Sequence, residues 1–175
     1  RNDNGREMLY CVNPACPAIR LDQITYFVSR DAMNIMGLSQ ERLKMLIDRG
    51  FVGDFADIYH LGAHREELME MERFGRDSVD NLLSAIEESR SCRLANVLTA
   101  IGIPNIGKNN AKLLAAQCFG AGNPLERFLT LALDGFDWTA LDGFGEIMSD
   151  GINRFVRENE TRIRPLIPIL RIAEE

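Results

Sequence analysis

The sequence predicts an all-α fold, and three observations carry that prediction. No stretch sustains the alternation of β-branched and polar residues that marks a strand. Apolar residues recur instead at helical spacing along most of the chain. A short turn pattern, apolar–x–Gly/x–apolar–Gly/Ser, appears four times and leads each time into a helical stretch.

Taken in chain order, "QERLKMLIDRG" follows Ser39, whose hydroxyl suits a helix start, and stops at Gly50. "SVDNLLSAIEESR" has Asp77 and Ser78 as capping-type residues and puts Val79, Leu82, Leu83 and Ile86 on one face. "LANVLTAIG" is expected to end at Gly102, and "NNAKLLAAQCFG" at Gly120. "NPLERFLTLAL" carries a proline in its first turn, where the missing N–H costs nothing. "EIMSDGINRFVREN" and "TRIRPLIPILRIAEE" complete the series, and Pro165 and Pro168 limit how regular the last can be.

The repeated turns are "IMGLSQERLKML" from Ile35, "MERFGRDSVDNLL" from Met71, "IPNIGKNNAKLL" from Ile103 and "LDGFGEIMSDGI" from Leu141. Their paired turn positions are Gly37 and Ser39, Arg73 and Gly75, Asn105 and Gly107, and Gly143 and Gly145. Counted on the second member of each pair, the intervals are 36, 32 and 38 residues. Four such turns at near-even spacing, each flanked by helical periodicity, predict tandem helix-hairpin-helix units in one compact domain over 30–175.

In such a unit the glycines are expected to permit backbone conformations that a side chain would resist, and to let a ligand come close. The apolar residue between them (Leu38, Phe74, Ile106 or Phe144) should point into the core. The N–H groups of the turn and of the next helix's first residues then face outward without partners. Aligned in this way they form an anion site, which suits phosphodiester oxygens and reads no base. Candidate DNA-binding residues are therefore Gly37, Ser39 and Arg42 at the first turn, and Phe74, Gly75 and Arg76 at the second. The third offers Asn105, Ile106, Gly107, Lys108, Asn109 and Lys112, and the fourth Gly143 and Gly145. Asp142, Glu146 and Asp150 surround the fourth with no cation, which suits a structural role there. The plainer alternative is that all four turns only pack helices together.

Charge and composition narrow the classes. The chain is 46% hydrophobic and 26% charged, ordinary for a globular protein, and its net charge of −6 gives no global basic field. Phosphate binding would have to be local. The longest uncharged stretches, 94–107 and 113–125, are too short to span a membrane, so a soluble, cytoplasmic protein is expected. Cys92 and Cys118 sit in apolar helical surroundings and read as buried free thiols. Cys11 and Cys16, in "CVNPACP", are spaced to turn two sulfurs toward one point, as in half of a four-cysteine zinc site. Two free thiols remain the other reading of that pair, and 1–29 is expected to be a partial zinc finger and linker.

The stretch "CVNPACPAIRLDQITYFVSRDAMNIMGLSQERLKMLIDRGFVGDFADIYHL" resembles the junction of zinc finger and helix-hairpin-helix domain in bacterial NAD-dependent DNA ligases. The resemblance continues through "FGRDSVDNLLSAIEESR" and "LTAIGIPNIGKNNAKLLA" to "LDGFGEIMSDGI", covering essentially the whole chain. It implies a parent enzyme that uses NAD and magnesium to seal nicks in duplex DNA during replication and repair, associated with the bacterial nucleoid. It also implies partner domains of the same protein, for adenylation and oligonucleotide binding, a zinc finger needing a second cysteine pair, and usually a BRCT domain. The family's chemistry starts at a lysine in Lys-x-Asp-Gly. The lysines here, Lys44, Lys108 and Lys112, are not followed by x-Asp-Gly, so the sequence by itself is expected to bind DNA, closing a clamp over the minor groove, without catalysing ligation. A non-catalytic DNA-repair scaffold and a protein-interaction module are the alternatives.

Overall fold

A computed structural model of the protein describes residues 17–71, 74–120 and 122–173. Among these, eight α-helices follow one another as four consecutive packed pairs. α1 (Pro17–Phe27) packs on α2 (Gln40–Asp48), and α3 (Arg65–Met69) on α4 (Arg76–Ser89). α5 (Leu94–Ala100) packs on α6 (Lys108–Ala116), and α7 (Pro124–Leu133) on α8 (Glu146–Ile163). Each pair is joined through one of the four repeated turns. α1, which the sequence leaves unassigned, is thus the first helix of the first pair, and its Ile24 and Phe27 are fully buried.

The helix boundaries have local causes. Ser39 caps α2 by accepting from the Arg42 N–H at 3.2 Å, as its residue type predicts. Asn123 caps α7 by accepting from the N–H groups of Leu125 and Glu126, and Pro124 takes the first turn. The start of α4 differs from expectation: the helix begins at Arg76 with Gly75 at the N-cap, not at Asp77 and Ser78. α6 ends at Ala116, short of Gly120. A 3₁₀ run, Phe55–His64, links the first two pairs, and Asp54 and Asp57 close a capping box at its start. His60 is exposed, and His64 at the end of that run meets Glu67 at 2.9 Å.

One hydrophobic core runs through all four pairs. Phe27 stacks on Phe55 at 4.7 Å between centroids, which seats α1 against the 3₁₀ run. At the other end Trp138 is fully buried, and its Nε1 donates to Asn153 Oδ1 at 2.8 Å. Ser149 Oγ accepts from the Trp138 N–H, and Asn153 Nδ2 donates to the Phe136 carbonyl. Two buried polar side chains of α8 therefore satisfy the irregular backbone that enters the fourth turn.

One feature contradicts the absence of strands. Ser91–Arg93 (β1) and Arg171–Ala173 (β2) pair in parallel, with Ser91 opposite Arg171 and Arg93 opposite Ala173. α8 stops at Ile163, Pro165 sits in a short 3₁₀ turn (Arg164–Leu166), and the extended tail returns to β1. Strands of three residues have no periodicity to read, so this pairing follows from where the tail lands.

Candidate nucleic-acid interface

The four turns share one pattern of exposure. Leu38, Phe74, Ile106 and Phe144 are buried, at 5–7% exposure, while the described residues on either side of each lie open to solvent. The apolar residue anchors each corner as its position predicts. In three corners the anchor's N–H donates to the carbonyl three residues earlier: Phe74 to Met71, Ile106 to Ile103, and Phe144 to Leu141.

Where the backbone needs special freedom differs from expectation. In the three turns whose first position is among the described residues, that position is left-handed: Gly37 at φ +99°, Asn105 at +68° and Gly143 at +84°. Pro104 followed by Asn105 is the residue pattern of a type II turn, and asparagine tolerates that conformation. The second position is extended in all four corners, Ser39, Gly75, Gly107 and Gly145 having φ between −72° and −110°. Any residue adopts such a φ, so Gly107 does not free the backbone, contrary to the sequence reading.

The second-position glycines are the N-caps of α4, α6 and α8, and none of those helices has a side-chain cap. A Cβ added at Gly75, Gly107 or Gly145 would meet nothing within 4 Å. Neither conformation nor internal packing therefore calls for glycine at these points. What glycine does there is leave the first-turn N–H groups bare on an exposed surface. The first corner differs, because Ser39 already occupies one such N–H.

Charge separates the corners further. α2, α4 and α8 each carry an acid in the first turn, Glu41, Asp77 and Glu146, which offsets the positive end of the helix. α6 carries none; its first residue is Lys108, and Asn109 and Lys112 are exposed beside it. The first turn of α6 thus has exposed N–H groups, a cation and no acid of its own. Arg76 is exposed at the first residue of α4, next to Asp77.

Two contacts bring the first three corners together. Lys108 Nζ lies 3.4 Å from Asp31, which precedes the first corner. Arg42 donates to the Gly37 carbonyl at 3.0 Å and lies 4.9 Å over the Phe74 ring, joining the first corner to the second. Asp31 was not legible as a partner of Lys108, since 77 residues separate them. Large apolar side chains also stand exposed at two corners, Met36 at 70% and Ile147 at 87%. Lys44 pairs with Asp48 at 3.0 Å on the surface of α2.

Cys11, Cys16 and Arg73 lie outside the described residues, so the zinc half-site and the second turn's first position have no geometry here. Among the described residues no group of three or more His, Cys, Asp or Glu side chains could hold a metal ion. Cys92 and Cys118 are free thiols whose pKa values burial pushes up, to about 11 and about 12. Among the described residues no helix is long and apolar enough to cross a membrane.

No family model matches the chain. Curated relatives do. A DNA ligase of Lachnoclostridium phytofermentans is 42% identical over 117 residues, and one of Symbiobacterium thermophilum is 42% identical over 123. A DNA ligase of Fusobacterium nucleatum is 36% identical over 160 residues, which is 91% of this chain and 22% of that protein. The first two alignments cover 67% and 70% of this chain but 18% of each relative. The chain is homologous to one segment of the DNA ligases and spans about a fifth of the length of the curated relatives it matches.

Proposed function

We propose that this segment, homologous to part of the DNA ligases, grips the sugar-phosphate backbone of nicked duplex DNA. Its four helix pairs act as helix-hairpin-helix units that follow the minor groove without reading sequence, and they close the parent enzyme's clamp around the nick. One observation carries this: glycine caps three helices where neither φ nor packing requires it, leaving bare N–H groups at exposed corners. Phosphate oxygens are the natural acceptors for such groups, since the helix dipole and the N–H donors act together. Bulky ligands approach only where no side chain intervenes.

Net charge does not oppose this. An overall −6 sets a weak long-range repulsion, but donors within hydrogen-bond reach act below the screening length of about 8 Å at physiological salt. The third corner should dominate, because α6 combines uncapped donors with Lys108 and no first-turn acid. Holding the two ends of a nick is itself a contribution to ligation, because an aligned hydroxyl and activated phosphate react as neighbours.

The adenylating lysine belongs to other domains of the parent, which we take to be of the NAD- and magnesium-using type found in the bacterial cytoplasm. Cys11 and Cys16 would hold a structural zinc together with two further thiolates. The test is nicked-duplex binding by this chain across a salt series. Binding that weakens with salt and is indifferent to base sequence is expected; no measurable binding even at low salt would exclude the proposal.

A further inference from the structure

We propose that Arg42 is a positioning residue that sets the spacing of the first and second corners, and that it does not itself hold a phosphate. Its guanidinium is committed on two sides. It donates to the Gly37 carbonyl at 3.0 Å, within the first corner, and its centre lies 4.9 Å over the ring of Phe74, the anchor of the second. The same corner also leans on α4: a Cβ placed at Gly37 would sit 3.5 Å from Leu82 Cδ1. Arginine suits this task because its planar group donates along its edge while its face lies on an aromatic ring. Arg42 is half-buried, and its hydrogen bond to Gly37 lies at the exposed surface of the corner.

The consequence is mechanical. Two anion sites on one duplex gain from acting together only when their separation is held constant, because a wandering pair loses that gain to conformational entropy. Arg42 is the link, rising from the first turn of α2, that reaches across to the neighbouring unit. The assignment rests on the corners being phosphate holders as proposed above, and the test separates the two.

Nicked-duplex affinity would be measured across a salt series for Arg42→Met, Phe74→Leu, the double variant and Lys108→Met, with circular dichroism to check folding. Arg42→Met and Phe74→Leu are each expected to weaken binding about three- to tenfold, with the double variant no worse than either. The salt slope of Arg42→Met should equal that of the parent, whereas Lys108→Met should lower it by about 0.9. A slope lowered by about 0.9 in Arg42→Met itself, or losses that multiply in the double variant, would overturn the assignment. Amide hydrogen exchange supplies an arm independent of DNA: Arg42→Met should speed exchange at both corners together. A change confined to the first corner would reject the brace, even if the unaltered chain bound no DNA and the phosphate reading had failed separately.

Discussion

Arg162 and Asp54, 108 residues apart in the chain, meet through two parallel hydrogen bonds, Nε to Oδ2 at 2.7 Å and Nη2 to Oδ1 at 3.0 Å. Asp54 also caps the 3₁₀ run by accepting from the Phe55 N–H, and Arg162 lies 4.7 Å over the Phe55 ring. Arg20 of α1 adds a longer contact to the same carboxylate at 3.4 Å. One acid thus ties the last helix pair to the first. Arg162→Met should lower unfolding free energy by about 2–3 kcal/mol, because it leaves a largely buried carboxylate short of donors. A urea midpoint unchanged within error would contradict that.

Asn105 holds a left-handed φ of +68° beside a buried anchor. Asn105→Gly should leave stability within about 0.5–1 kcal/mol of the parent, while Asn105→Val should cost about 1–2 kcal/mol or more, since a β-branched side chain crowds the carbonyl there. Paired thermal melts of the two variants decide the matter.

Gly107 and Gly145 are extended and have open space around them, so Gly107→Val and Gly145→Val should both fold, each losing about 0.5–1 kcal/mol because valine is a poorer N-cap than glycine. Their effects on DNA should differ. Gly107→Val should weaken duplex binding about tenfold, by covering donors that meet a charged phosphate, and Gly145→Val should do less because the Glu146 carboxylate in that first turn already offsets the positive helix end. Equal losses in gel-shift titrations would contradict the ranking.

Lys108 is shared with Asp31 across 3.4 Å. Asp31→Asn should therefore tighten duplex binding several-fold at low salt, and this gain should shrink in a Lys108→Met background. A gain of the same size in both backgrounds would mean simple charge repulsion, with no part for the pair.

Alkaline pH should destabilise the fold. Burial raises the Tyr59 hydroxyl from 10.0 to about 12, and the Cys92 and Cys118 thiols from 9.0 to about 11 and about 12. The unfolded chain loses these protons first, so folded stability is full below pH 9 and falls as pH rises from about 9 toward 12. Melting temperatures at pH 8, 9, 10 and 11 give the check; a flat profile over that span would show that these groups do not differ between the two states.

Much of the helical architecture was legible because it is local. Ser39 caps the helix its residue type predicted, Pro124 stands in the first turn of α7 as expected, and the anchors Leu38, Phe74, Ile106 and Phe144 are buried as their place between turn residues required. The conformational role of the glycines was misplaced by two residues, onto Gly107 instead of Asn105, because the repeat pattern marks both positions without telling which needs a positive φ. The β1–β2 pairing was missed because short strands carry no period and their partners are about 80 residues apart. The cysteine pair at 11 and 16 lies beyond the described residues, so its zinc role stays where the sequence left it.

By itself the sequence determined α2 and α4 to α8, the four corners and their buried anchors, since each depends on residues within one or two turns of one another. Only the tertiary structure decided which charges remain open to a ligand. Arg42 and Lys108 both stand among the candidate DNA-binding residues in the sequence; in the structure Arg42 is held by Gly37 and Phe74, and Lys108 faces Asp31. The physical reason is that a side chain's electrostatic partners are chosen by distance in space, and packing of helix pairs brings together groups that chain order keeps far apart.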